Sequence, residues 1–524
     1  LSFKLGVGGG GLVDHGCSPW VIILLATEDE LSKGCVIIVP NLVSGVATAT
    51  DRVVLDGFRQ SFYDCLSARA DALFELCDAV LCTSGPVVSL AELSLTKTRS
   101  GRRRGHGALY DGLARGRIEV DRLRMALAGL ELPRGPGDRL MIAVDVTSWP
   151  RPDAACSPDR VHCHQRCRCQ SRRGKSVPGW PYSVAAALGA GRTSWTAPLD
   201  VVRLGAADDP TEVTAAQIRE LTSRLIRAGQ HQPNDPPILF VLDSGYDLPR
   251  LQHLLTDLPV RLLGRIRSDR VLYRPATPRP VGRPGPQPRH GAVFKCANPD
   301  TWHPPQHETT SSHDRFGHVH ARTWHRLHPK LAARYNWAHH DIDLHGDLPI
   351  IQASIIQVTV DRLPGNRTPK PLWLWISDPE ISLADLNHAW HSYLRRFDLE
   401  HTFRFFKQTL GLTRPRVRTS AQADRWAWLL ITAYTQLRLA RTLITDYHHP
   451  WEKPLTPDRV TPGRVRRRFR HLHRTIQNPA RAPKPSRPGP GRPPGSTTGP
   501  APRHPVTKKP NKRNTPRRGR TKPA

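Results

Sequence analysis

Acidic residues are scarce in this 524-residue chain: 45 Asp and Glu stand against 77 Lys and Arg, leaving a net charge of +32. That balance excludes a surface built for cationic partners and points to a polyanion. No basic amphipathic anchor stands out, so nucleic acid outranks a membrane surface. Long hydrophobic runs are also missing. WVIILLAT (20–27) and CVIIVPNLV (35–43) are interrupted by EDELSKG and fall short of the roughly 20 residues that a membrane helix needs. The ten cysteines follow no regular spacing, which excludes a disulfide framework. With no secretory leader of the usual pattern, this places the protein in a reducing cytosol. Met125 and Met141 are the only methionines and Leu1 is no initiator, so residues 1–45 read as a poorly defined extension. Their LGVGGGG run (5–11) lacks the Gly-Lys-Ser/Thr that would complete a phosphate loop.

The length allows about two to four domains. Residues 46–135 are helical in pattern, with the basic break KTRSGRRRGHG (97–107) inside them. They suit either a DNA-contacting domain or a helical cap on the next one. From 136 to 269 the period changes. RLMIAVDVTSW (139–149), YSVAAALGA (182–190) and SWTAPLDVVRLG (194–205) read as strands, and DPTEVTAAQIRELTSRLIRAG (209–229) as a capped helix. PPILFVLDSGYD (236–247) is a further buried strand, followed by a helix (247–258) and a strand (260–269). The order is β-β-β-α-β-α-β, an α/β arrangement with aspartates ending its first and fourth strands. Residues 270–378 read as an insertion of loops and short strands that regains strand character after 349. Residues 379–460 are helical. The Arg-, Lys-, Pro- and Gly-rich stretch 461–524 reads as a disordered phosphate-binding tail. Its PGRPPG around Arg492 is similar to the core of a minor-groove AT-hook, a tripeptide that arises easily in such a composition.

Three carboxylates stand out by position. Asp145 and Asp243 end the first and fourth strands, which places them side by side if those strands are neighbours. Glu400 lies in YLRRFDLEHTFRFFKQ (393–408), where helical spacing puts Tyr393, Glu400 and Lys407 in line and Arg396 one turn before the acid. By itself this pattern fits an amphipathic helix with an i,i+4 Arg–Glu pair. Three acids crowded together, however, need cations to offset their repulsion, and hard divalent ions such as Mg²⁺ suit an oxygen donor set. Two such ions can serve in-line phosphoryl transfer.

The pattern resembles the DDE transposases of bacterial insertion sequences, in the group marked by Tyr, two residues, Arg, three residues, Glu, six residues, Lys. Here these are Tyr393, Arg396, Glu400 and Lys407. AVDVTSW, with Asp145 and Thr147, and LDSGYD, with Asp243, Gly245 and Tyr246, stand where that family has its first and second acids. The resemblance runs from about 50 to 480. It implies an RNase H-like mixed sheet flanked by helices, with a β-rich insertion between the second aspartate and the glutamate. It also implies that Asp145, Asp243 and Glu400 are catalytic and ligate two Mg²⁺, for which Mn²⁺ can substitute. Tyr393, Arg396 and Lys407 are then expected to hold DNA phosphates. The partners implied are the double-stranded DNA of the element's ends and target, with a homodimer on paired ends, no membrane, and a place in the bacterial cytoplasm near the nucleoid.

Some related enzymes stack a flipped base on a tryptophan of the insertion. Among Trp302, Trp324, Trp337, Trp373 and Trp375, core packing is the expected role of each. HCHQRCRC (162–169) offers His162, Cys163, His164, Cys167 and Cys169 to zinc, but no second ligand pair follows at finger spacing, and a surface loop is expected. The competing functions are a catalytically inactive DNA-binding relic or domesticated regulator of transposition, and a packaging protein that accounts for the charge but not for the ordered carboxylates.

Overall fold

The computed structural model describes residues 49–96, 105–165, 175–280, 284–332, 337, 348–363, 368–482, 493–495, 497 and 499–507. In chain order the elements are α1 (Ala49–Asp64), β1 (Leu66–Ala68), α2 (Ala70–Cys82), α3 (Leu90–Leu93), α4 (His106–Arg115), β2 (Arg117–Ile118) and α5 (Val120–Ala128). Then follow β3 (Met141–Pro150), β4 (Val161–Gln165), β5 (Lys175–Ala187), β6 (Ala197–Arg203), α6 (Pro210–Arg227), β7 (Ile238–Leu242), α7 (Leu248–Leu254) and β8 (Val260–Ile266). Next come β9 (Val271–Tyr273), β10 (Val293–Lys295), β11 (His307–His313), β12 (Gly317–Leu327), β13 (Ala353–Val360) and β14 (Leu372–Ile376). The last helices are α8 (Leu383–Gln408), α9 (Ser420–Leu439) and α10 (Pro462–Leu472).

A ten-stranded mixed sheet runs β11-β12-β13-β14-β8-β7-β3-β5, and the far edge of β5 is shared by β4 and β6. Only β3, β7 and β8 run parallel to one another. Their cores, Met141–Val144 and Ile238–Leu242, are buried throughout, as continuous apolar runs in a parallel sheet must be. The expected α/β architecture, a mixed sheet flanked by helices, is the one that forms. The β-rich insertion does not stand apart from it: β11 and β12 extend the same sheet through β13 and β14. Trp324, Trp373 and Trp375 are buried there, and Trp302 packs against Trp324 and Trp373.

Helices cover both faces. Gln217 of α6 accepts a hydrogen bond from Ser183 of β5 at 2.7 Å. On the other face Tyr182 of β5 donates to Asp424 of α9 at 2.9 Å, and α8 packs across β3, β7 and β8. Residues 108–130, one helical stretch by sequence, divide into α4 and α5 at Gly116. A Cβ at that position would lie 2.2 Å from the Gly112 carbonyl oxygen and 2.7 Å from Leu73, so the close approach admits only glycine.

The helices of 49–128 pack on the later ones in the manner of a cap, one of the two arrangements expected: α1 and α2 pack on α9, and α2 also packs on α10. Two expectations change. Residues 161–165 are a strand rather than a loop, with Cys163 buried. Its neighbour His162 is exposed, as alternation on a strand requires, and Cys167 and Cys169 lie outside the described residues. Finally, the stretch 461–524 is folded at its start. Val465, Phe469 and Ile476 are buried in the helical layer, because apolar residues at helical spacing give α10 one inward face that the Arg-rich average conceals. Farther on, Thr507 donates its backbone N–H to the Arg160 carbonyl at 3.0 Å and bridges Val161. Arg492 and residues 1–48, 97–104 and 508–524 lie outside the described residues.

A buried ion network ties the cap together. Arg59 of α1 pairs with Asp78 of α2 at 2.7 Å, and His473, just after α10, meets the same carboxylate at 2.8 Å. Burial opposes charge on both partners of the second contact. Even so, Arg59 and His473 hold Asp78 well below the usual carboxylate range, and Asp78 lifts His473 to about 10. The folded value of His473 lies above the ~6.5 of a free imidazole. Its contribution is therefore complete below pH ~6.5 and is lost as pH rises through about 10. We expect His473→Ala to cost about 3 kcal/mol at pH 6, with the difference from wild type narrowing by pH 10 in thermal melts. Deletion of 462–524 is expected to unfold the cap, whereas deletion of 483–524 leaves the circular-dichroism melt near that of the full chain.

Candidate active site

Register builds the site first. β3 and β7 pair in parallel with Val144 opposite Leu242, so the next residues, Asp145 and Asp243, stand side by side. Asp243 follows the end of β7, but Asp145, expected to end its strand, lies within β3, which runs on to Pro150 paired with β5. Beyond β7 the chain turns through Ser244–Tyr246 into α7, whose Asp247 caps it by accepting the Arg250 N–H. Asp145 is held in place by its own backbone, accepting the Val146 N–H at 2.8 Å.

The third acid arrives on α8. Ser382 caps this 26-residue helix by accepting the Asp385 N–H. Leu386, Ala389, Trp390, Tyr393, Arg396, Leu399, Phe403 and Phe406 form its buried stripe. Tyr393 and Arg396 therefore belong to the face that meets the sheet. Glu400 lies at the margin with its side chain 48% exposed. Phe397 is 44% exposed, with the Arg396 guanidinium carbon 5.0 Å above its ring.

Arg396 is the centre of the cluster. Its Nη1 donates to Asp145 Oδ2 at 2.8 Å, and its Nη2 donates to Glu400 Oε1 at 3.0 Å and lies 3.8 Å from Asp243 Oδ1. Tyr393 donates its hydroxyl to Asp243 Oδ1 at 3.3 Å. Burial works against the guanidinium charge, but Asp243, Asp145, Tyr393 and Glu400 more than offset it and raise its pKa. Asp145 moves the other way. Burial, aided by Asp243 and Glu400, lifts it to about 6 against the pull of Arg396. Its charged form is thus the disfavoured one in the folded protein.

Lys407, two turns past Glu400, is half-buried and has no hydrogen-bond or ion-pair partner among the described residues. Burial lowers its pKa, while Asp145 and Cys163 of β4 act in the opposite sense, so the ammonium faces the acids from the β4 side. Nothing in the residue pattern marks β4 as part of this flank. Tyr246 is the other neighbour of the acids. Burial raises its pKa, and Asp145 and Asp243 add to that rise. The hydroxyls of Tyr246 and Thr147 and the Nε of Arg396 are buried without a hydrogen-bond partner.

The donor set is all carboxylate oxygen, open to solvent at Glu400, and ringed by polar atoms whose hydrogen bonds are unmet. That chemistry fits a hard divalent cation. The acids meet at the guanidinium, not at one another: among the described residues, no three Asp, Glu, His or Cys close to the geometry of a shared metal site. For one ion to be held by all three, Arg396 must yield its place between them.

A family model described as "DDE superfamily endonuclease" matches residues 61–330, a span that includes Asp145 and Asp243 and ends before Glu400. No curated protein matches the chain. No helix among the described residues is long and apolar enough to cross a membrane.

If Arg396 substitutes for a cation among these acids, removing it makes the fold depend on one. Arg396→Gln is expected to lower stability by about 2 kcal/mol without divalent ions, less than for a fully enclosed pair because Glu400 is half exposed. Added Mg²⁺ should restore part of the loss. Thermal melts with Mg²⁺ and with chelator check this, and a variant indifferent to Mg²⁺ would refute the substitution.

Proposed function

We propose that this chain, which belongs to the DDE superfamily of endonucleases, is a transposase that cuts DNA at the ends of a mobile element and joins them to target DNA. The observation that carries the reading is the convergence of Asp145, Asp243 and Glu400, from two neighbouring parallel strands and one helix, on the single guanidinium of Arg396. The 2-3-6 spacing of Tyr393, Arg396, Glu400 and Lys407 favours the insertion-sequence group marked by those residues.

Asp145, Asp243 and Glu400 would hold two Mg²⁺, or Mn²⁺ in their place. Bound there, such ions activate the attacking oxygen and stabilise the leaving one in an in-line displacement. The chain's own groups do the rest. Tyr393 orients Asp243 through its hydrogen bond. Arg396, released from the acids when cations arrive, keeps its charge and turns its donors to a phosphate, for which a planar guanidinium is well matched. Lys407 needs no such release, since it has no partner among the described residues to give up, and it supplies a compact charge beside the phosphate to be cut. The 3′-OH released by the cut would then attack a phosphodiester of target DNA, its proton passing to solvent and the target's own 3′ oxygen leaving, so that one phosphodiester bond replaces another. Two element ends must be processed together, which makes a homodimer the expected assembly.

The test uses purified protein, Mg²⁺ or Mn²⁺, and a DNA fragment bearing the gene's own flanks. Glu400→Gln is expected to reduce cleavage at least 100-fold, since loss of a ligand should exceed the roughly 10–100-fold cost of losing an outer-shell partner. Binding of the flanks should persist. Cleavage at the normal rate by Glu400→Gln would remove that residue from the site. Specific binding without nicks by the wild type would identify a DNA-binding relic.

A further inference from the structure

Between α8 and α9 the chain passes through GLTRPRVRT, residues 411–419. Exposure alternates along it: Arg414, Arg416 and Arg418 face solvent, while Pro415 and Val417 between them are buried. Pro415 favours an extended conformation at Arg414, and the chain bends at Pro415 and again at Arg418.

The segment is fixed along its length. Trp426 donates its indole N–H to the Gly411 carbonyl at 3.2 Å. Arg151, itself buried, donates to the Val417 carbonyl at 2.7 Å. The Arg418 N–H donates to the Gln422 side chain at 2.7 Å, next to the Thr419–Gln422 capping box that begins α9. The three arginines therefore project from a held ridge. None has a carboxylate partner among the described residues, and Arg416 acts on Arg151 as one cation on another.

Some solvent-facing arginines of this protein are spent on carboxylates. Arg467 pairs with Glu452 and Arg219 with Asp257, for example. Three guanidiniums without a carboxylate partner among the described residues, on one held segment, suit a ligand with repeated negative charge. The phosphate backbone of duplex DNA is such a ligand, and the ridge faces solvent where a backbone can reach it. It also follows directly from the helix that carries Glu400 and Lys407.

We propose that Arg414, Arg416 and Arg418 form a binding site for the sugar-phosphate backbone of duplex DNA, separate from the acid cluster, that seats the DNA flanking the cut. The proposal rests on the DNA-cutting function argued above. Because the contacts go to phosphate, the ridge positions DNA without reading its sequence.

The experiment measures affinity of the full chain for a duplex of arbitrary sequence by fluorescence anisotropy over a salt series, with chelator and no divalent ion. The variants are Arg414→Gln, Arg416→Gln and Arg418→Gln, singly and together, and the triple lysine replacement. Each lost phosphate contact should lower the slope of log affinity against log salt by about 0.9. The triple glutamine variant should therefore lose about 2.7, while the triple lysine variant keeps most of the slope. An unchanged slope in a folded triple glutamine variant overturns the proposal. If that variant fails to fold, three single variants with wild-type slopes overturn it equally. Binding without metal does not depend on cleavage. An unchanged slope alongside a cleavage-dead Glu400→Gln therefore sinks the ridge alone, and a lost slope alongside normal cleavage by Glu400→Gln sinks the active-site assignment alone.

Discussion

The site depends on the charge of Arg396. β3, β7 and α8 each bring a carboxylate to one place. Two like charges 4 Å apart near a protein surface repel by about 4 kcal/mol. Without a cation among them, the helix would be pushed from the strand ends that it must approach. Arg396 offsets that repulsion from within the buried stripe of α8 and so couples packing to charge. Its guanidinium can sit there because Tyr393, Leu399 and Phe403 on the same helix bury the surrounding surface. The tension that remains falls on Asp145, the most buried of the acids, which burial lifts to about 6. This cluster is assembled at a cost, as expected of residues kept for chemistry rather than for stability.

Much of this was legible in the sequence because it depends on local rules. The runs ending in Asp145 and Asp243 are apolar on both faces, which in a chain of alternating strands and helices means parallel central strands. The 2-3-6 spacing on α8 follows from helical period. The role of Arg396 was not legible. Spacing shows that it can reach Glu400, but only the register of β3 against β7 shows that it also reaches Asp145 and Asp243. The flank formed by β4 was hidden for a different reason. VHCHQ has the alternation of a strand, but its cysteines and histidines suggest metal or loop chemistry before they suggest pairing with β5.

Composition misled most in 461–524. Its mean character is that of an unfolded polycation, yet Val465, Phe469 and Ile476 sit in the core, and His473 completes an ion network with Arg59 of α1 and Asp78 of α2, at the far end of the chain. A long-range contact of this kind leaves no local signal. The residue that marks it, a histidine amid arginines, looks the same whether buried or solvated.

The same distinction bears on the net charge of +32, which by itself says only that a polyanion will be attracted. The structure divides the arginines into two kinds. Arg59, Arg124 and Arg224 spend their charge inside the protein on Asp78 and Asp200, and Arg466 and Arg151 donate to backbone carbonyls. These hold the cap, the sheet and the 411–419 segment in place, and they are unavailable to a ligand. Lys407 and the 414–418 arginines have no such partners among the described residues. The affinity of a basic protein for a phosphate backbone is set by the cations that can trade counterions for phosphates, not by the total. On that reasoning the interior arginines matter to DNA indirectly: by anchoring the segment and the helix, they fix where the free cations stand relative to the acids.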